Sequence, residues 1–286
     1  MYGAGVLDFD PERSPPAPRA AATVLVVRER AKLEIYCVVR HSKSGFLGGV
    51  VAFPGGKVDP ADGDDAWSRV TTALDPRGEA FDEPPAPLRA LAIAAAREAL
   101  EEAAIVPVVG DALDGETALA LRAEAEATSL RAALEARGLV LDLGRLAPFA
   151  RWVTPTAESR RFDAVFFLLR APRGQEGSHD THETEGGFWG APTDILARWE
   201  RGELMLAPPT VRCLELLSPC ATVAEAHAVA ARQSLLPIEP VFVADDGGFL
   251  ALPGDRAHPV KERRVDGPTR FVLCDGRFVG RDPESP

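Results

Sequence analysis

Glu98, Glu101 and Glu102 stand at i, i+3 and i+4 inside the otherwise apolar run LRALAIAAAREALEEAAI, which opens after Pro87. The run predicts a helix over about 88–103. Leu88, Leu91, Ala92, Ala95, Ala99 and Ala103 fall along one face, while the three carboxylates occupy adjoining turns of one edge. Close negative charges repel one another unless a cation lies among them, and hard oxygen ligands in this number suit Mg2+ or Mn2+. An isolated ExxEE is more often a solvated acidic face. Here a glycine turn lies upstream, Arg97 precedes the first glutamate, and the opposite face is apolar.

Two β-branched runs precede the helix, at 22–29 and 33–40, joined by Arg30-Ala31-Lys32; they read as an antiparallel pair. SGFLGGVVAFPGGKVD follows as a loop whose backbone must approach something closely. Residues 60–87 are polar and proline-rich, with a short helix predicted inside Asp64 to Leu74. A further helix is expected over about 116–137, stopping at Gly138 as a C′ residue. Strands are expected at 139–153 and 162–169, and helices near 193–201, 209–217 and 222–233. The last has Thr222 and Glu225 at capping-box spacing. From Pro237 onward short strands and turns take over, with Asp275-Gly276 as a hairpin signal. The expected organisation is a flexible leader at 1–20, a main domain at 21–235 and a small C-terminal β extension at 236–286.

The 286 residues are 46% hydrophobic and 26% charged, which allows a sizeable core and excludes global disorder. The formal net charge is -11, from 43 acidic and 32 basic residues, so a general nucleic-acid partner is not expected. Small anionic substrates remain compatible if metal ions and a few cations reverse the potential within a cleft. No apolar run reaches the roughly 18 to 20 residues of a membrane span, and MYGAGVLDFDPERSPPAPRA lacks the features of a signal peptide. Cys37, Cys213, Cys220 and Cys274 form no CxxC pair and read as reduced thiols. A cytoplasmic protein without a membrane partner is expected; a homodimer is compatible but not legible.

FPGGKVDPAD followed by REALEEAAI resembles the Nudix box, G-x5-E-x7-R-E-U-x-E-E-x-G-U, with U apolar. Gly56 matches the leading glycine, and Arg97, Glu98, Glu101, Glu102 and Ile105 match the later positions. Three positions depart: Asp62 for the first glutamate, Ala104 for the glycine and Ala99 as a small first U. Asp62 and Arg97 are also 35 positions apart where the pattern has 8, so the box carries a 27-residue insertion. The resemblance implies an α/β fold, a Nudix-type α/β/α sandwich with a mixed sheet. Its box would hold Mg2+ or Mn2+ through Glu98, Glu101 and Glu102, with Asp62 orienting Arg97. The ions would bind the oxygens of a diphosphate and activate water, and a carboxylate would take up the proton. Glu98, Arg97 and Glu183 are the implied catalytic residues. Glu183 is favoured as base over Glu185 because HETEGGFW places both just ahead of Trp189; an exposed loop glutamate is the alternative.

A second likeness narrows the substrate. VVRHSKSGFLGGVVAFPGGKVD is similar to the segment preceding the box in coenzyme A diphosphatases. The insertion and ARWVTPTAESRRFDAVFFL look like the peroxisomal acyl-CoA branch and its bacterial relatives. The implied reaction is hydrolysis of CoA or acyl-CoA to 3′,5′-ADP and (acyl-)4′-phosphopantetheine. Alternatives are another nucleoside diphosphate derivative, such as ADP-ribose or a dinucleotide, or a non-catalytic nucleotide-sensing module. Arg40, Gly55, Gly56, Lys57, Arg160 and Arg161 are the expected substrate-binding residues, with His41 and Lys43 nearby; arginine suits phosphate through its planar fork. The chain ends DPESP, so no peroxisomal address of the SKL type is expected.

Overall fold

The computed structural model describes residues 14–41, 49–179, 184–244 and 248–283. Strands β1 (Arg19–Glu29) and β2 (Leu33–Arg40) form the expected antiparallel pair, with Val27 opposite Ile35 and Glu29 opposite Leu33. β1 therefore begins inside the segment expected to be leader. The glycine loop contributes β3 (Val51–Ala52) and β4 (Gly55–Lys57), and the glutamate helix is α1 (Leu88–Ala103). Next come α2 (Gly115–Ala127), α3 (Leu130–Arg137), β5 (Ala147–Val153), β6 (Phe162–Arg170) and β7 (Thr184–Gly190). Three helices follow, α4 (Pro192–Glu200), α5 (Pro208–Leu217) and α6 (Val223–Arg232). The chain then enters β8 (Val241–Val243), β9 (Phe249–Ala251), β10 (Arg270–Cys274) and β11 (Arg277–Arg281).

A seven-stranded sheet runs in the order β3-β2-β1-β6-β5, with β4 on β1 and β7 on β2. Only β1 and β6 are parallel within it, so the sheet is mixed. Alternation along β1 shows why its apolar run is unbroken. Ala22, Val24 and Val26 pack into the core beneath α1, α2 and α3, whereas Leu25 and Val27 face α4, α5 and α6. The sheet is buried on both faces, and the α/β/α sandwich follows.

Local chemistry explains the departures from the expected elements. The helix expected over 116–137 breaks at Thr128, whose φ of -135° and ψ of -83° are not helical; Ser129 then caps α3 through a bond from Ala132 N. Gly138 ends α3 at a φ of 64°, as a C′ glycine does. Of the strand expected at 139–153, only β5 forms, because a 3-10 turn at Leu143–Arg145 interrupts it. The helix expected between 64 and 74 shrinks to a 3-10 turn, Asp65–Arg69, capped by Asp64. Thr222 and Glu225 do form the capping box of α6.

The insertion is packed, not loose. Trp67 and Phe81 lie within the core under α1, and Phe81 meets Phe167 edge-on at 6.4 Å. Arg77 donates to the carbonyls of Pro148 and Gln233, and Arg151 donates to that of Asp82. The C-terminal strands form their own antiparallel sheet, β11-β10-β9-β8. Asp275 and Gly276 turn its hairpin at φ values of 50° and 76°. Leu250, Phe271 and Phe278 of this sheet share a core with Phe149 of β5 and Leu214 of α5. Arg212, fully buried, donates to Asp266 O at 2.5 Å and Pro268 O at 2.7 Å. Among the described residues, no helix is long and apolar enough to cross a membrane.

Candidate active site

The glycine loop lies against β1 through Gly55 and against α1 through Gly56, with no side chain in between. A methyl on Gly55 would stand 2.6 Å from Ala22 O and 2.8 Å from Thr23 Cα, so only glycine lets β4 lie on β1. A methyl on Gly56 would stand 2.4 Å from Glu98 Oε1. The loop is tied to the helix by Gly55 N, which donates to Glu102 Oε2 at 3.0 Å. Gly56→Ala is therefore expected to push the Glu98 carboxylate aside and lower kcat at least tenfold. Its melting temperature should change less than that of Gly55→Ala, whose methyl strikes backbone. Kinetics and thermal melts on the two variants check this, and unchanged kcat in Gly56→Ala would show that Glu98 need not stay where it is.

Arg97 organises the carboxylates. Its Nε and Nη2 donate to the two oxygens of Asp62 at 3.2 and 3.1 Å, and Nη2 also donates to Lys57 O at 2.9 Å. Nη1 reaches Glu98 Oε1 at 2.8 Å and Glu101 Oε2 at 3.0 Å. Burial by itself lowers the pKa of this guanidinium, but the hydrogen bond to Asp62 and the charges of Glu98, Asp62 and Glu101 outweigh that and raise it. Asp62 is 2% exposed, and its Oδ2 also accepts from Asp59 N at 2.9 Å. The pairing of Asp62 with Arg97 thus closes across the 27-residue insertion. Ala104, at the pattern's glycine position, takes the left-handed conformation at a φ of 51° that glycine adopts more readily.

Glu98 and Glu102 are 8% and 5% exposed, and the Glu101 side chain is 36% exposed. Among the described residues, no three histidine, cysteine, aspartate or glutamate side chains converge to hold a metal as they stand. Arg97 holds Glu98 and Glu101 from the side instead of leaving them gathered round one point. The donor set nevertheless fits a hard divalent cation: three carboxylates on one helix edge, two of them buried beside a cleft. They supply the donor chemistry, not a finished coordination sphere.

That cleft has a volume of about 930 Å³, and the glutamates line it together with all six expected substrate-binding residues. The six are not alike. Arg40 presents a buried Nε with no hydrogen-bond partner among the described residues, and Arg160 is exposed. Arg161 is 9% exposed and committed to the fold, donating to Thr154 O, Pro16 O and Glu239 Oε1. It pins three chain segments into one wall through Nε, Nη1 and Nη2. Glu185 lies 3.5 Å from His41 Nδ1. Glu183 and Lys43 lie outside the described residues.

Sequence reasoning passed over several lining residues. Glu158, 1% exposed, sits in the loop before β6, and Trp152, Pro240 and Leu250 complete the wall farthest along the sheet from β4. Glu158 and Trp152 lie inside the segment that resembles the acyl-CoA branch, so a signal existed for them. Pro240 and Leu250 carried none, because only the return of the C-terminal strands brings them to the cleft. The insertion does not cap it: among the described residues, none of 60–87 lines the cleft.

A Nudix hydrolase crystal structure from Alicyclobacillus acidocaldarius is 32% identical and covers 96% of its own length and 74% of this chain, with a TM-score of 0.60. Together with the box geometry, this makes the chain an enzyme of the Nudix hydrolase family. Its curated relatives include the acyl-coenzyme A diphosphatase NUDT19 of Gallus gallus, 28% identical over 86% of this chain and 78% of that protein. The protein of the same name from Xenopus laevis is 25% identical over 86% and 76%. No family model matches the chain.

Proposed function

We propose that the chain hydrolyses the diphosphate bond of CoA or acyl-CoA, giving 3′,5′-ADP and (acyl-)4′-phosphopantetheine. One observation carries this reading: the carboxylate helix and the cations Arg40, Lys57 and Arg160 face a single cleft of about 930 Å³. The names of the relatives point to the same substrate class.

Glu98, Glu101 and Glu102 would hold Mg2+ or Mn2+. When bound, such an ion supplies Lewis acidity, polarising the phosphoryl oxygens and offsetting charge on the leaving phosphate. Asp62 and Lys57 O fix the Arg97 guanidinium, which in turn fixes Glu98 and Glu101 on the helix edge. Arg40 supplies a donor whose Nε is buried and has no partner among the described residues, so a bound phosphate oxygen would satisfy it. Glu183 takes the proton from the attacking water in this reading. A cytoplasmic setting is part of this reading, with which four cysteines in no disulfide are compatible.

Turnover should require the divalent ion and stop in excess chelator. CoA and short acyl-CoAs should exceed ADP-ribose in kcat/KM, and CoA should exceed dephospho-CoA about tenfold to a hundredfold. That range is the effect of one charge-assisted hydrogen bond to the extra phosphate, roughly 1.5 to 3 kcal/mol. A substrate panel with product identification tests this, and preference for ADP-ribose over both CoA forms would overturn it. For the base, Glu183→Gln should lower kcat more than metal affinity and more than Glu185→Gln does. The reverse ranking would move the role to Glu185, and small effects from both would move it into the box, to Glu98.

A further inference from the structure

The registers of three strand pairings lay out the cleft floor as one row. Lys57 of β4 lies opposite Ala21 of β1, Ala21 opposite Ala164 of β6, and Ala164 opposite Trp152 of β5. Trp152 is bridged in turn to Ile238, where the chain enters the C-terminal sheet. Lys57, Ala21, Ala164 and Trp152 all line the cleft. Paired residues point to the same face, and strands are spaced about 4.8 Å apart, so the row from Lys57 to Trp152 spans roughly 14 Å.

Its two ends differ in chemistry. At the first, Lys57 O accepts from Arg97 and the glutamates stand alongside. At the other, Trp152 is joined by Pro240 and by Leu250 of β9, all buried and all lining the cleft. Between them the floor is paved with two alanines, which keep it low enough for an extended chain to pass. Glu239, next to Pro240, is held by Arg161, so the far wall is fixed and not a loose flap.

We infer that the Trp152–Pro240–Leu250 end is an acyl subsite: it takes the apolar chain of an acyl thioester whose diphosphate lies at the glutamate helix. The C-terminal sheet thereby sets the chain-length preference. This rests on the CoA reading above and adds to it a second binding region, built from elements outside the box.

The test is a series of CoA, acetyl-, hexanoyl-, decanoyl- and hexadecanoyl-CoA with the full chain and divalent metal, with products identified. For the unaltered protein, kcat/KM should rise about threefold to fourfold per methylene over the enclosed part of the chain and then level off, following the transfer of one CH2 out of water. Leu250→Phe should lower the ratio of decanoyl-CoA to CoA kcat/KM at least tenfold and bring the plateau to shorter chains. Leu250→Ala should move the plateau to longer chains. Each ratio uses one protein preparation, so partial misfolding cancels, and the unaltered protein's series needs no variant. Equal kcat/KM for CoA and decanoyl-CoA, or ratios unchanged in both variants, would overturn the subsite while leaving CoA hydrolysis standing. Turnover of ADP-ribose with none of CoA or any acyl-CoA would instead remove the CoA reading and the subsite with it.

Discussion

Glu101→Gln and Glu102→Gln are each expected to lower kcat by about a hundredfold or more while the protein stays folded, because on the proposed reading each removes a carboxylate that would hold the divalent cation. Glutamine keeps the shape of both side chains. At position 102 the amide oxygen can still accept from Gly55 N, which now donates to Glu102 Oε2 at 3.0 Å. At position 101 the side chain is 36% exposed, so water replaces what is lost. The two variants differ in one respect. Glu101 also accepts from Arg97 at 3.0 Å, so its replacement trades relief of repulsion on the helix edge for a lost ion pair. Melting temperatures of the metal-free variants should therefore rise more for Glu102→Gln than for Glu101→Gln. Steady-state kinetics over a range of metal concentrations separates lost affinity from lost turnover. Near-normal kcat in both would return the glutamates to the status of a solvated acidic face.

Removing Arg97 has the largest expected effect on stability. Arg97→Ala leaves Asp62 at 2% exposure with neither of its guanidinium bonds, and leaves Glu98 and Glu101 facing each other without the cation between them. Breaking a buried pair from one side costs about 3 kcal/mol or more. For a chain of this size that corresponds to a fall of roughly 6–12 °C in melting temperature. Arg97→Lys should recover little of it. A single ammonium cannot reproduce a fork that serves both Asp62 oxygens, Lys57 O and two glutamates at once. Denaturant unfolding measures the loss; a value below about 1 kcal/mol would place this ion pair with ordinary surface pairs.

The box was readable because its chemistry is local. Glu98, Glu101 and Glu102 share a helix edge by periodicity alone, and the apolar face of α1 repeats at helical spacing over Leu88–Ala103. The β1–β2 hairpin, the Thr222–Glu225 capping box and the Asp275-Gly276 turn were legible for the same reason: a few neighbouring residues dictate each of them. Where a break depended on backbone conformation at one residue, as at Thr128, the apolar and alanine pattern continued through it and hid the interruption.

By itself, the sequence determined what short-range forces control: the helix with its carboxylate edge, the glycines that must approach closely and the β-branched strand pair; the α/β/α class was implied by the resemblance to the Nudix box. Only the tertiary structure decided how distant segments share one cleft. It set Asp62 against Arg97 across 35 positions, tied Arg161 to Thr154, Pro16 and Glu239, and left the Arg40 Nε without a partner among the described residues at the cleft. It also packed the insertion on the core away from the cleft and brought Leu250 and Pro240 to its far wall. Arg160 and Arg161 are adjacent and alike in sequence, yet one is exposed and the other nearly buried. Successive residues approaching a strand point to opposite sides, and which side carries waiting carbonyls depends on chain that returns from far away.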